Sequence, residues 1–354
     1  MAMRILVVGQ SPRVFGPGNF QWPDDTVRAL RRLGHRVRRF RYRESWAASP
    51  ALSAGLQRLP LGGRLLKRYQ QAHACARDKA LTLTSRQWRA DLVLFLNGDA
   101  FSGEVLAEVR RWTPGRLVSW WADNPCASSS FMRAVSLFDH VFVFDRSYLA
   151  PLIAAGGRSV HFLPCACDET IYRPLRLSQA AARRFRCEVA FVAWYYPERA
   201  AVVKALARSG IDVGVWGGQW RSDDAQRALE GARVARGAAV SDRTAARIYS
   251  AATIGLNIHA THSVSAGVNT RTFELLASGA FQLIDRIAGI EELLTPGREV
   301  VCYASPEEAC VLAKRYLADP DGRAAIASRG RERALAEHTY VCRMRTLLNA
   351  ARAS

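Results

Sequence analysis

A doubly wound α/β protein made of two Rossmann-like halves is the fold class this sequence predicts. Three observations predict it. Short apolar runs alternate with amphipathic stretches along all 354 residues. Many of the runs are unbroken Val/Ile/Leu/Phe, as parallel strands covered on both faces require. The alternation breaks once, at CACDETIYRPLRLSQAAARRFR, and restarts near residue 187.

The elements follow in order. Candidate strands in the first half are 5–9, 37–42, 92–96, 117–121, 140–144 and 160–163. Those in the second are 187–192, 213–216, 253–258, 281–284 and 300–303. Between the first two, residues 24–33 read as a helix. Val27, Leu30 and Leu33 share one face, arginines take the other, and Gly34 stands where a helix ends. Residues 50–80 interrupt the first half. Leu56, Leu59, Leu61, Leu65, Leu66 and Tyr69 mix there with Arg58, Arg64, Lys67 and Arg68. Such a segment either packs on its own domain or lies on an anionic membrane surface. The proline-bearing break is the expected connection between domains, giving units 1–170 and 186–335 and a last helix within 338–354.

Composition narrows the classes. Apolar residues make up 49% of the chain, as in a globular protein. MRILVVG reads as a buried strand and not a signal peptide. No run approaches the roughly 18 apolar residues of a membrane span. The eight cysteines are scattered and suit reduced thiols, so a cytoplasmic location is expected, with peripheral contact at the inner membrane face as an option. The net charge of +19 should attract an anion. Nucleic acid is the competing reading of the arginines between 28 and 43. No helix-turn-helix, RRM or zinc-finger pattern accompanies them, and nucleic acid is not the expected partner.

Candidate chemistry concentrates in GVNTRTFELLASGAFQLID, residues 267–285. A helix over 269–279, capped by Asn269 or Thr270, follows a loop containing Gly267. Its first turn offers free N–H groups and a positive dipole end, which suit a diphosphate. Arg271 can add a bidentate phosphate contact. Glu274 projects on the same face, where a carboxylate can accept both hydroxyls of a ribose. The plainer alternative is an ordinary capped helix. His259 and His262 stand just before this loop, within reach of phosphate or sugar. They lack metal-pair spacing and no ligand cluster joins them.

The stretch YSAATIGLNIHATHSVSAGVNTRTFELLASGAFQLID, then VVCYASPEEA and YLADPDGRAAIASRGRERALAEHTYVCRMRTLL, resembles the group-1 glycosyltransferases of the CgeB (spore-maturation-protein-like) family. The resemblance covers about residues 186–348. It rests on Asn257, Asn269, Arg271, Phe273, Glu274, Gly279 and Asp285, with His338, Thr339, Tyr340 and Arg343. It implies the GT-B architecture: two Rossmann-like domains facing a cleft, an N-terminal acceptor domain, a C-terminal domain holding the nucleotide-sugar donor, and a last helix crossing back. Transfer of a sugar to a glycan, lipid-linked or protein acceptor follows as the implied activity. Related enzymes carry two glutamates eight residues apart, the second on the donor ribose. Glu274 matches the second, and Ala266 stands in place of the first. That departure also permits an inactive GT-B scaffold. VAFVAWYYPERAAVVKAL resembles the family's first C-domain strand and turn, with Arg199 matching an arginine near the donor phosphates and Ala193 replacing a usual glycine. In VGVWGGQW, Gly217 and Gly218 match a glycine turn that lets backbone approach the nucleotide.

The first half adds less. In GQSPRVFGPGNF, Gly16 and Gly18 could bring backbone close to phosphate or acceptor, but the spacing is not GxGxxG. SWWADNP ends a strand and resembles a Trp…Asp-x-Pro signature of accompanying N-terminal domains. Asp123 is the leading general base, since acceptor activation needs a carboxylate or imidazole at hydrogen-bond reach; otherwise it caps a turn. Asp99, in LFLNGDAF, is the reserve. No Asp-x-Asp ends a strand, so metal-independent transfer is expected, with dipole and arginines stabilising the leaving diphosphate.

Overall fold

The computed structural model describes residues 2–10, 21–42, 62–260 and 266–353. The first half forms β1 (Arg4–Gln10), β2 (Arg36–Tyr42), β3 (Leu92–Leu96), β4 (Arg116–Trp121), β5 (His140–Val143) and β6 (Val160–Phe162). They form one parallel sheet in the order β2-β1-β3-β4-β5-β6. Its helices are α1 (Trp22–Arg32), α2 (Gly62–Trp88), α3 (Gly103–Trp112), α4 (Ser129–Ala134) and α5 (Leu149–Ala154). Every residue of β3 is buried, which is why its sequence does not alternate. The edge strand β2 exposes Arg36, Arg38 and Arg41, while the Arg39 side chain is buried.

After α6 (Gln179–Phe185) the second half begins. Its strands are β7 (Val189–Val192), β8 (Val213–Trp216), β9 (Ala235–Gly237), β10 (Ile254–Asn257), β11 (Gln282–Asp285) and β12 (Val301–Tyr303). The order is β12-β11-β10-β7-β8-β9, again parallel. Counted from β7, that is the dinucleotide-fold order 3-2-1-4-5-6. The helices are α7 (Pro197–Arg208), α8 (Asp223–Leu229), α9 (Asp242–Ala251), α10 (Thr270–Ala277), α11 (Ile290–Leu293), α12 (Pro306–Leu317), α13 (Pro320–Glu337) and α14 (Tyr340–Ala353).

Two elements correct the expectations. The strand β9 went unread, because Ala-Arg-Gly is three residues long and has no apolar run. The polar break contains a helix, α6, capped by the Ser178 side chain. The expected ends of other helices hold. Gly34 takes a left-handed φ of 86° just past α1. Gly279, at φ 71°, closes α10 with bonds from Gly279 N–H to Leu276 O (2.9 Å) and Ala280 N–H to Leu275 O (3.1 Å).

The halves are clasped in two places. Cys167 N–H donates to His338 O and Tyr340 N–H donates to Cys167 O, both at 3.1 Å. Beyond this clasp α14 returns to the first half. Met344 and Leu347 join Ile5, Val7 and Leu30 in one buried cluster, and Tyr340 packs edge-on against Trp120. The second clasp is a bridge between Asp145, after β5, and Gly267. Arg343 locks the first. Its Nε donates to Pro164 O at 2.9 Å, and Nη2 faces His338 Nδ1 at 2.7 Å. Burial, then Arg343, pushes the His338 pKa down to about 3, so the ring is neutral.

The basic run between 28 and 43 does not gather into one free stripe. Arg28 pairs with Asp25 and Asp168, Arg32 with Glu169, and Arg39 and Arg41 with Asp24. Arg36 and Arg38 lie over the Trp88 ring. Arg43 lies outside the described residues, as do Leu56, Arg58, Leu59, Leu61, Gly16, Gly18 and His262.

Candidate functional site

In an open parallel sheet, the loops leaving two strands at a switch in strand order diverge and open a crevice at the carboxyl ends. In the second sheet that point lies between β7 and β10. Residues 193–196 leave β7, and the chain leaving β10 leads to α10. Arg199 and Arg271 both reach the chain at the end of β7, bonding Trp194 O and Val192 O, and Glu274 follows Arg271 on α10.

Asn257, the last residue of β10, organises this region and is fully buried. Its Nδ2 faces Thr272 Oγ1, Asn269 Oδ1 and Gln282 Oε1 at 3.0–3.1 Å. Its Oδ1 accepts from Asn269 Nδ2 and Arg271 Nη1, each at 3.0 Å. Asn269 is the N-cap of α10, its side chain accepting the Thr272 N–H at 3.1 Å. The N–H groups of Thr270 and Arg271, in the first turn, have no intrahelical acceptor. Arg271 also donates from Nε to Val192 O at 2.7 Å, so it spans the switch point from β10 to β7.

Arg199 is 6% exposed. Its Nη1 donates to Trp194 O at 2.9 Å, while its Nε is buried without a partner. Its guanidinium and that of Arg271 lie against one ring, Phe191, at 5.9 and 5.4 Å. Burial, then Arg271, lowers the Arg199 pKa to about 10, which leaves it charged at neutral pH. No described carboxylate ion-pairs with either arginine. Two adjacent cations, one almost wholly buried, cost stability in an empty protein. An anion between them would offset that cost.

Glu274 keeps some surface open while protein surrounds most of it. Desolvation, then Asp242, pushes its carboxyl up to about 8 against the opposing Arg271. Tyr172 and Thr270 hydrogen-bond it, and Tyr172 also bonds Asp242. Asp25 behaves alike. It touches Arg28, yet burial with Asp168, Asp242 and Glu274 outweighs that guanidinium and holds its pKa at about 8.

The structure corrects the expectation for His259 and gives three glycines a packing role. His259 is 2% exposed, and both ring nitrogens are used. Nε2 accepts the Asn269 N–H at 3.1 Å, which makes Nδ1 the donor to Asp285 at 2.7 Å. It props the N-cap and does not reach into the crevice. Gly217 and Gly218 are required by packing. A Cβ on the first would stand 1.7 Å from Ala193 O, and on the second 1.7 Å from the Trp194 ring. Gly267 is pressed on the first half, where a Cβ would meet Phe144 O at 2.6 Å.

Asp99 and Asp123 follow neighbouring strands, β3 and β4, and both are exposed. Asp123 Oδ1 accepts the Asn124 N–H at 2.9 Å, and Asn124 caps the next turn. The Asp99 carbonyl accepts from Ser130 Oγ. Asp145 was missed. It is fully buried, accepts from Ser147 N–H, and takes the Ala266 N–H at 2.8 Å. It therefore fixes the loop before α10 from the opposite domain. Its signal was present, a carboxylate directly after an apolar strand in FVFDRS. Tyr148 senses both Asp145 and Asp123, which places Asp123 on the side of the first half that meets this loop. Among the described residues, no group of three or more His, Cys, Asp or Glu could hold a metal ion.

The comparisons agree with this geometry. Residues 199–349 match the family model described as glycosyl transferase-like. Spore protein CgeB of Bacillus subtilis is 19% identical over 250 residues, covering 67% of this chain and 75% of that protein. Anabaena HepE, solved with UDP-glucose, superposes with a TM-score of 0.67 at 17% identity, covering 99% of this chain and 100% of that one. Sucrose-phosphate synthase from Thermosynechococcus elongatus gives 0.66 at 17%, covering 99% of each chain. A glycosyltransferase from Rickettsia africae gives 0.69 at 12%, over 99% of this chain and 98% of that one. With two Rossmann-like domains and a helix returning to the first, the chain has the GT-B fold, and its residues 199–349 are similar to the glycosyl transferase-like family.

Proposed function

We propose that the crevice between β7 and β10 holds the diphosphate of a nucleoside-diphosphate sugar, and that the first half supplies the base that activates the acceptor. The observation that carries this reading is Arg199, a buried cation with an unpartnered Nε, beside Arg271 and the open first turn of α10. Guanidinium groups and helix N-termini are matched to phosphate oxygens. They stabilise the charge that grows on the diphosphate as the sugar leaves, the work a divalent cation does elsewhere. In this reading Glu274 takes the ribose hydroxyls. Asp123 takes the proton of the acceptor hydroxyl as its oxygen bonds to the sugar carbon and the bond from that carbon to the diphosphate breaks. Asp99 is the reserve for that role.

Calorimetric titration with UDP-, GDP- and dTDP-sugars tests the donor site, with UDP first because HepE was solved with UDP-glucose. Binding that Glu274→Ala abolishes supports the reading. No nucleotide binding to the wild-type chain sinks it. Binding without turnover on any acceptor would favour an inactive scaffold. Turnover that survives EDTA would support metal independence.

The acceptor reading is a glycan or lipid-linked molecule, met at a membrane face. In α2, Leu65 is 63% exposed and Tyr69 is exposed beside it, with Arg64, Lys67 and Arg68 exposed around them. Apolar side chains ringed by cations suit an anionic bilayer surface. Among the described residues no helix is long and apolar enough to cross a membrane. Co-sedimentation with phosphatidylglycerol vesicles that Leu65→Asp leaves unchanged would remove this contact.

A further inference from the structure

The connection after Cys167 runs beside α9, and the two enclose a second pocket of about 230 Å³. Arg173 and Arg176 line it from the connection, and Arg243 and Arg247 from α9. All four are exposed, and none ion-pairs with a described carboxylate. The carboxylates nearest in the chain are engaged elsewhere. Asp168 holds Arg28 and Thr170, Glu169 holds Arg32, and Asp242 is bonded to Tyr172.

Local physics disfavours this arrangement. Arg243 sits in the first turn of α9, so a cation stands at the positive end of the helix dipole. Arg243 and Arg247 are four residues apart on that helix, where like charges repel. Two further arginines face them across the pocket. Asp242 shares that first turn but is hydrogen-bonded to Tyr172, and local rules broken with little compensation mark functional sites. A multiply charged anion would offset the repulsion, and guanidinium forks bind phosphate oxygens in pairs.

We propose that the pocket of Arg173, Arg176, Arg243 and Arg247 is a binding site for a phosphate-bearing ligand, distinct in every residue from the diphosphate site at α10. A small phosphorylated solute and a phospholipid headgroup share this chemistry.

Inorganic pyrophosphate is the probe, titrated calorimetrically into the full chain with and without excess UDP. The expected result is a binding event that UDP does not remove and that Arg243→Ala/Arg247→Ala weakens about tenfold or more, the loss of at least one charged hydrogen bond. Arg173→Ala/Arg176→Ala gives an independent second variant should the first lose its fold by circular dichroism. Lys314→Ala/Arg315→Ala, on α12, removes the same net charge and should leave the event intact. Sedimentation with phosphatidylglycerol vesicles lost in the same pocket variants would assign the source to a lipid headgroup, and unchanged sedimentation to a soluble one. The proposal is overturned if pyrophosphate shows no UDP-resistant event, or if the α12 control weakens it as much as the pocket variants do. Failure of UDP itself to bind would count against the donor site and leave this readout intact.

Discussion

The two halves share an architecture and differ in how they keep their charges. In the first half, arginines find carboxylates or rings: Arg28 with Asp25 and Asp168, Arg110 with Asp139, Arg36 and Arg38 with Trp88. The second half pairs many of its basic residues too, Arg208 with Glu230 and Arg286 with Glu291, but Arg199 and Arg271 share a ring and ion-pair with no acid, and Arg243 and Arg247 join Arg173 and Arg176 of the connection around a pocket without one. Paired charges belong to folding, and unpaired cations held close together are kept for an anion that arrives later. The proposed donor site rests on this measure, while the first half carries two exposed carboxylates, Asp99 and Asp123, after β3 and β4.

The sharpest break of that division is Asp123→Asn. Removing a general base should lower kcat by roughly 10²–10⁴-fold with donor affinity unchanged, measured by steady-state kinetics and titration. Equal rates in the variant would move the base to Asp99, which Asp99→Asn then tests. Next comes Arg199→Met, which keeps the volume and removes the charge. Donor affinity should fall about 10–100-fold, since charged hydrogen bonds are worth ~1.5–3 kcal/mol, while the melting temperature holds or rises as an uncompensated buried charge is lost. A lower melting temperature with intact affinity would make Arg199 a structural residue.

Asp145→Ala probes the joint between the halves. It strands the N–H groups of Ala266 and Ser147, and on the order of 3 kcal/mol of stability should be lost, with a raised KM for donor. Chemical denaturation and kinetics on one preparation decide it. An intact KM would uncouple Asp145 from the donor loop.

The smallest effect is a pH slope. Asp25 and Glu274 have folded pKa values raised to about 8, so between the unfolded carboxylate range and pH 8 the folded chain binds more protons than the unfolded one. Stability must then fall as pH rises. Below about 6.5, the unfolded His pKa, the depressed His338 works in the opposite direction, so the clean window is about pH 6.5–8. Melting temperatures should drop across it, and Glu274→Gln should flatten the slope. A wild-type profile that is level or rising there would refute the acid cluster.

How much was legible can be read from single residues. Asn269 and Gly279 announced the start and stop of α10, because caps are local chemistry. Arg271 was named from its place in the first turn of α10 and Arg199 through the resemblance, yet their closeness depends on a crossover that brings β7 beside β10. His259 shows the limit. Its place before the loop suggested a ligand contact, and only the fold reveals that Asp285 and the Asn269 N–H occupy both its nitrogens. Gly217 and Gly218 have a packing cause that the sequence did not reveal, since the Cβ they exclude would strike Ala193 and Trp194.

Periodicity, caps and the restart of the pattern near residue 187 determined by themselves that this chain alternates strand and helix and divides in two, because these signals lie within a few residues of one another. The tertiary structure alone decided which polar groups are consumed by the fold and which are left for a ligand. Hydrogen-bond partners such as Asp145 and Ala266 lie 121 residues apart, and no local pattern records a pairing made across that distance.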